Sequence, residues 1–275
     1  MTDHYAVVGN PVAHSKSPEI HAAFARQTGH DIEYTKLLAP LDGFRGVVEA
    51  FRASGGRGVN VTVPFKLEAY DFADEVSQRA RDAEAANCLR FDAERVHADN
   101  TDGVGLIRDI VHNLGVALAG KRILLLGAGG AAQGVIAPLL EYEPSILAIA
   151  NRTVDKALKL AEMFRRKPAA AASVLSGLSY GDLAGHHFDV VINATSTSLK
   201  GEMPPLPADA FAAGALAYDM MYGPVPSPFL AFARERGARV ADGLGMLVEQ
   251  AAESFLLWRG VRPQTAPVIA LLRGK

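Results

Sequence analysis

Asn60, Thr62 and Lys66 fall close together in the run NVTVPFK, residues 60–66. Ser15 and Ser17 flank Lys16 in HSKSPEI, Asn87 lies in AANCLR, and Asp102 lies in DNTDGVG. Each has a plain structural reading. Ser17 makes a helix N-cap, Asn87 closes a turn, Asp102 caps a following helix, and Lys66 is solvated like most lysines. Together they suit one chemical task. A polyhydroxylated carboxylate needs short donors and acceptors for its hydroxyls, and hydroxyl donors for its carboxylate. Hydride transfer at a carbinol also needs a group that exchanges the hydroxyl proton, and a lysine beside an aspartate can do so. Residue types alone leave this pairing open, because both are common.

A second signature follows the apolar run RILLL. Gly127, Gly129 and Ala132 give G-x-G-x-x-A between a predicted strand and a predicted helix, the context a dinucleotide fingerprint requires. Gly127 permits a tight turn, Gly129 lets the backbone approach a pyrophosphate, and Ala132 allows close helix–strand packing. The helix N-terminus offers free N–H groups to phosphates. At the end of the next strand, where an NAD site carries an acidic residue for the ribose, the chain reads ANRT. Asn151 is neutral, Arg152 can take a 2′-phosphate through charge-assisted hydrogen bonds, Thr153 adds a hydroxyl, and Lys156 lies one helical step on. The expected cofactor is therefore NADP(H).

The elements that must position these groups alternate. YAVVGNP reads as a strand ended by a turn. Ser17 then caps a helix with Pro18 at its first position, Ile20, Ala23 and Phe24 on one face, and Gly29 at its stop. IEYTKLLA is a strand, residues 42–53 a helix with Phe44, Val47, Val48 and Phe51 on one face, and GGRGVNVTVPFK a third strand. In that strand the valines 61 and 63 alternate with Asn60 and Thr62, and Pro64 ends the ladder. Strands separated by helices predict a parallel sheet. A helix is expected from near Val104, then strands at RILLL, SILAIA, DVVINATS, ALAYDMMY and ARVADG. The stretch 167–173, KPAAAAS, reads as a surface connection. The predicted class is α/β in two lobes: residues 1–103 with 244–275 as a substrate-binding and catalytic domain, and 104–243 as a Rossmann-like NADP domain. The last helices are expected to return to the first lobe.

Composition narrows the function classes. The 275 residues are 49% hydrophobic and carry a net charge of −2, which gives no broad field for nucleic acid or an anionic membrane. The basic run Arg165, Arg166, Lys167 reads as a solvated helix end. No apolar stretch approaches the length of a membrane helix, and the N-terminal residues do not read as a signal peptide. The histidines show no H-x3-H pairing, so no metal is expected. The single cysteine, Cys88, reads as a small buried apolar residue and suits a reducing cytoplasm.

The blocks GNPVAHSKSPEIHAAF, GVNVTVPFK, AANCL, NTDGVG, GAGGAAQG, NRT, INATS, YDMMY and DGLGMLVEQAAESF stand in this order over nearly the whole chain. In them the chain resembles the shikimate dehydrogenase family, whose members interconvert 3-dehydroshikimate and shikimate with NADP(H). The resemblance implies that Lys66 and Asp102 are the catalytic pair. It makes Ser15 and Ser17 carboxylate ligands, and Asn60, Thr62, Asn87 and Gln250 hydroxyl-binding groups, with Tyr222 near an interdomain cleft. It gives the pyrophosphate to Gly127, Ala128, Gly129, Gly130 and Ala131, and the 2′-phosphate to Asn151, Arg152, Thr153 and Lys156. Thr195, Met220, Gly243 and Met246 would run along the cofactor toward the nicotinamide. The cleft is expected to close for hydride transfer, with Gly103, Gly105, Gly243 and Gly245 absorbing the motion. The expected partner is shikimate or 3-dehydroshikimate, with no nucleic acid and no membrane, in a monomer or homodimer. Two positions depart from the family pattern. Lys156 stands where a second arginine is frequent, and Ser198 stands where glycine is frequent. A quinate/shikimate dehydrogenase with broader substrate or NAD use, and a non-catalytic NADP-binding sensor, are the alternatives.

Overall fold

The computed structural model describes residues 2–167 and 173–274. The chain divides into two compact units, Met1–Gly105 with Leu247–Lys275, and Leu106–Met246. The small-residue stretch 167–173 lies, apart from its ends, outside the described residues.

In the first unit, β1 (Asp3–Gly9), α1 (Ser17–Thr28), β2 (Ile32–Leu38), α2 (Phe44–Ala53) and β3 (Gly56–Val61) follow the expected alternation. Gly29 ends α1 in the left-handed region at φ 69°, which glycine adopts without a Cβ penalty. Then come α3 (Lys66–Phe72), β4 (Glu75–Val76), α4 (Gln78–Ala83), β5 (Cys88–Phe91), β6 (Val96–Asp99) and α5 (Asp102–Arg108). The sheet order is β2-β1-β3-β5-β6-β4. Strands β1, β2 and β3 are parallel, but β5 runs antiparallel to both β3 and β6. The predicted parallel sheet is thus a mixed one. The short link from β5 to β6 is a hairpin, and a hairpin reverses direction without a crossover helix.

Alternation puts Ala6, Val8, Val59 and Val61 on one face of this sheet. There they pack with Phe44, Val48 and Phe65 of the α2–α3 side. The opposite face carries Tyr5, Tyr34 and Asn60.

Three local expectations change. β3 stops at Val61, and Val63 is 60% exposed, so the valine alternation does not continue to residue 63. Ser17 is the first helical residue rather than the cap, and Ser15 Oγ accepts from its N–H. The helix expected from Val104 begins at Asp102 and passes into a π-helical turn, Asp109–Asn113.

The second unit contains β7 (Arg122–Leu126), α6 (Gly130–Glu141), β8 (Ile146–Ala150), α7 (Val154–Arg165), β9 (Leu175–Leu178), β10 (Phe188–Asn193), β11 (Phe211–Asp219), α8 (Pro228–Glu235) and β12 (Arg239–Asp242). Its sheet is wholly parallel, in the order β12-β11-β10-β7-β8-β9. The chain starts in the middle at β7, winds outward to β9, and resumes on the other side at β10. That is the doubly wound dinucleotide-binding order, with its switch point between β7 and β10. The strands are apolar on both faces because helices cover both.

The chain closes with α9 (Leu244–Arg259) and α10 (Ala266–Arg273). From Leu247 onward this segment belongs to the first unit. Trp258 stacks on Tyr5 with ring centroids 4.6 Å apart, and Arg259 pairs with Asp3. Glycines at the start of α9 serve close packing. A Cβ on Gly243 would lie 2.2 Å from the Met220 carbonyl oxygen, and one on Gly245 would lie 2.0 Å from the Asp109 carboxylate. No described helix is long and apolar enough to cross a membrane.

Candidate active site

Lys66 opens α3 just after the chain leaves β3, and Asp102 opens α5 just after β6. Lys66 Nζ lies 2.5 Å from Asp102 Oδ2, with the two side chains 19% and 10% exposed. A pair so little exposed is screened less than a surface pair and holds its geometry. The other carboxylate oxygen, Oδ1, accepts from Asn87 Nδ2 at 2.9 Å. Asn87 is itself locked, because its Oδ1 accepts from the Thr101 N–H at 2.7 Å. The Asp102 N–H donates to Asn100 Oδ1. Both oxygens of Asp102 are thus aimed before any ligand arrives, and the lysine ammonium keeps hydrogens to offer elsewhere.

Asn60 and Gln250 join this network through Asn87 and Thr101. Asn60, at the C-terminal end of β3, donates through Nδ2 to the Asn87 carbonyl. Gln250, on α9, has its Oε1 3.4 Å from both Asn87 Nδ2 and Thr101 Oγ1. Thr62 N–H donates to the Val8 carbonyl and fixes the chain where it leaves the sheet. Ser15 donates its hydroxyl to Ser17 Oγ at 3.1 Å. Tyr222 belongs to the second unit, after β11, where burial raises its phenol pKa.

Sequence reasoning missed Thr101, Ser254 and Tyr34. Ser254 Oγ accepts from Asn60 Nδ2 at 2.8 Å, and Tyr34 donates to Asn60 Oδ1 at 2.8 Å. Ser254 had a usable signal: it follows Gln250 by four residues on one helix, so the two share a face. Cys88 is buried, and burial raises its thiol pKa, as suits an inert packed residue. Among the described residues no group of three or more His, Cys, Asp or Glu could hold a metal ion.

In the second unit, Gly127 turns at φ 105° and donates its N–H to the Ala150 carbonyl. A Cβ there would press on Thr195 Cγ2 at 3.1 Å, so the β7 turn and the residue just beyond β10 touch at the switch point. Gly129 caps α6 and Gly130 begins it, and both are exposed. A Cβ on either would meet nothing within 4 Å, so free space lies over a twelve-residue helix N-terminus. Ala128 and Ala131 are partly buried against the core. This space and these amides fit a pyrophosphate.

Asn151 Nδ2 folds back onto the Thr153 carbonyl, and Thr153 precedes α7 without capping it. Arg152, Thr153 and Lys156 are exposed, and among the described residues neither cation has an ion-pair partner. Two unpaired cations beyond β8, with no carboxylate in NRT, fit a 2′-phosphate. Thr195 Oγ1 donates to Asn193 Oδ1 at 2.6 Å. Met220 and Met246 are buried in the core, and Gly243 N–H donates to the Met221 carbonyl.

Comparison with known proteins follows the same division. Residues 7–89 match the shikimate dehydrogenase substrate binding domain, residues 109–200 the shikimate / quinate 5-dehydrogenase domain, and residues 243–273 the shikimate 5′-dehydrogenase C-terminal domain. The shikimate dehydrogenase (NADP(+)) of Nitrosospira multiformis is 60% identical over 274 residues, covering 99% of this chain and 98% of its own length. The crystal structure of an Ael1 enzyme from Pseudomonas putida is 50% identical, covers 98% of both chains and superposes with a TM-score of 0.92. A shikimate 5-dehydrogenase from Thermus thermophilus, in complex with NADP(H) and shikimate, is 32% identical over 99% of each chain, with a TM-score of 0.87. Such identity over nearly the full length, with the domain matches in sequence order, shows that the chain belongs to the shikimate dehydrogenase family.

Proposed function

We propose that this chain reduces 3-dehydroshikimate reversibly to shikimate with NADPH, toward chorismate and the aromatic amino acids, and that Lys66 and Asp102 are its catalytic pair. The observation that carries the reading is the 2.5 Å contact between Lys66 Nζ and an Asp102 carboxylate whose other oxygen is held by Asn87. NADPH, when bound, supplies the hydride from C4 of its nicotinamide. Lys66 delivers a proton to the carbonyl oxygen as it becomes a hydroxyl, and takes it back in the reverse direction. Asp102 orients the lysine and accepts a hydrogen bond from the substrate hydroxyl. Ser15 and Ser17 hold the carboxylate by hydroxyl donation. Asn60, Thr62, Asn87, Gln250 and Tyr222 bind the rest of the ring. Gly127 to Ala131 take the pyrophosphate, Asn151 to Thr153 with Lys156 the 2′-phosphate, and Thr195, Met220, Gly243 and Met246 the run toward the nicotinamide. We place the enzyme in the cytoplasm, as a monomer or homodimer.

The test is a reduced-cofactor absorbance assay that crosses shikimate and quinate with NADP+ and NAD+. Fast turnover with shikimate and NADP+ alone is expected. Comparable rates with quinate or NAD+ would move the chain to the broader quinate/shikimate branch, and Lys156 would be the first residue to revisit. No activity in any combination would leave a cofactor-binding sensor.

A further inference from the structure

The Asn60 side chain is hydrogen-bonded at both ends of its amide. It is 6% exposed and stands between the buried Val59 and Val61. Nδ2 donates to the Asn87 carbonyl at 3.2 Å and to Ser254 Oγ at 2.8 Å. The carbonyl can only accept. Ser254 spends its own hydrogen on the Gln250 carbonyl at 3.1 Å, so toward Asn60 it accepts as well. Two acceptors therefore fix which end of the amide is nitrogen, and both its hydrogens are used. The Tyr34 hydroxyl lies 2.8 Å from Oδ1. An amide oxygen cannot donate, so the phenol does.

Oδ1 has a second lone pair; His21 lies close enough to feel this amide, but neither of its ring nitrogens makes a hydrogen bond. We propose that Tyr34 is a positioning residue that presents Asn60 as an acceptor only, so that this point of the pocket takes a ligand hydroxyl and rejects a carbonyl or carboxylate oxygen. The proposal rests on the reading of the first unit as the shikimate site. It goes further by giving Asn60 a direction and by naming the residue that sets it.

Tyr34 is built for the task. In the strand register it stands beside Tyr5 of β1, and its ring reaches across that strand toward β3. It stacks on the buried His21 ring with centroids 4.2 Å apart and planes 5° from parallel. Gly58 leaves room for Trp258, since a Cβ there would meet its Nε1 at 2.6 Å, and the Trp258 ring lies 6.3 Å from that of Tyr34. Burial raises the phenol pKa well above its ordinary value, so the donor stays protonated across the working range; a nearby Cys88 charge would add to this and the Ser17 hydroxyl opposes it.

Tyr34→Phe keeps the ring and its stack and removes the hydroxyl, with its bond to Asn60 and its interaction with Ser17. Steady-state kinetics should show KM for shikimate raised about fivefold to twentyfold, with kcat within about twofold, the size of one hydrogen bond to a bound polar group. In an Asn60→Ala background the same change should leave KM where Asn60→Ala put it, because Tyr34 acts through Asn60. Ser254→Ala, which frees the other end of the amide, is the second variant and should also raise KM. An unchanged KM in Tyr34→Phe, or an equal rise with Asn60 already removed, would overturn the proposal. Wild-type enzyme run alongside keeps the two readings separate. If it fails to turn over shikimate, the functional reading falls and takes this one with it. If it turns over normally, only the proposal is at stake.

Discussion

A lysine at the start of a seven-residue helix would ordinarily lie in solvent, and Lys66 does not. It is turned onto Asp102, whose second oxygen is taken by Asn87. Lys66→Met keeps the length of the side chain and removes the proton carrier, so kcat for shikimate oxidation should fall about 10²- to 10⁴-fold with KM changed little. A variant turning over near the wild-type rate would remove the lysine from the chemistry. His21 makes a prediction of a different kind. It is fully buried, neither ring nitrogen has a hydrogen-bond partner, and burial pushes its pKa down to about 3. The folded protein keeps this ring neutral, while an unfolded chain protonates it below about pH 6.5. Between those values the unfolded state binds the extra proton, so stability is lost as pH falls from about 6.5 toward 3. His21→Phe preserves the stack on Tyr34 and removes that proton. The loss of unfolding free energy between pH 7 and pH 5, measured in urea, should then shrink by on the order of 2 kcal/mol. An unaltered pH slope would mean that His21 titrates normally. The proposed catalytic pair was legible in the sequence because its motifs are specific. Tyr34 was not, because its contact with Asn60 spans 26 residues and no local pattern encodes it, and Ser254, 194 residues from Asn60, is marked only by its helical spacing from Gln250.

The legible elements were those long enough to show a period. α1 and α2 declare themselves through apolar residues at helical spacing, and β7 through a short apolar run before glycines. β4, with two residues, and α4, with six, are too short to show any period. Strand direction leaves no local mark either, which is why the mixed first sheet was read as parallel. Ser198 shows what an element end adds. It departs from the frequent glycine, and its hydroxyl donates to Asp219 Oδ2 at 2.6 Å while accepting from Asn193 Nδ2 at 3.1 Å. Ser227 and the Met221 N–H donate to the same fully buried carboxylate. The turn after β10 is thereby tied to the end of β11, beside Thr195. Ser198→Gly removes one hydrogen bond to a buried charge and adds backbone freedom, which should cost about 1.5–3 kcal/mol of stability. KM for NADP+ should rise with it, while KM for shikimate stays put. Thermal unfolding and the two KM values check this, and a variant as stable as the parent would show that the hydroxyl contributes nothing there.

At the scale of the chain, the two units differ in how they are written. The second is continuous, Leu106–Met246, and its sheet is assembled from strands joined by short helical crossovers. The first is split, and the face of its sheet that carries Asn60 is completed by the segment Leu247–Lys275. Phe255 meets His21 and Phe24, Ser254 takes Asn60, and Arg259 pairs with Asp3 across 256 positions. Loop-closure entropy rises only slowly with length, so this separation costs little at equilibrium. Kinetically it matters more, because contacts between distant segments form late. The protein carries its own probe of the event. Trp258 is the single tryptophan, and it stacks on Tyr5 when α9 docks on the first sheet. During refolding from urea, circular dichroism follows helices and strands of both units, whereas tryptophan fluorescence follows this return alone. The dichroism signal should therefore recover a large part of its amplitude before the fluorescence does. The lag should survive in Tyr34→Phe, which leaves the aromatic rings in place, and lengthen in Phe255→Ala, which weakens the docking by about 3–5 kcal/mol. If both signals recovered together as one exponential, α9 would be docking as the rest of the chain folds, and the split would have no kinetic consequence.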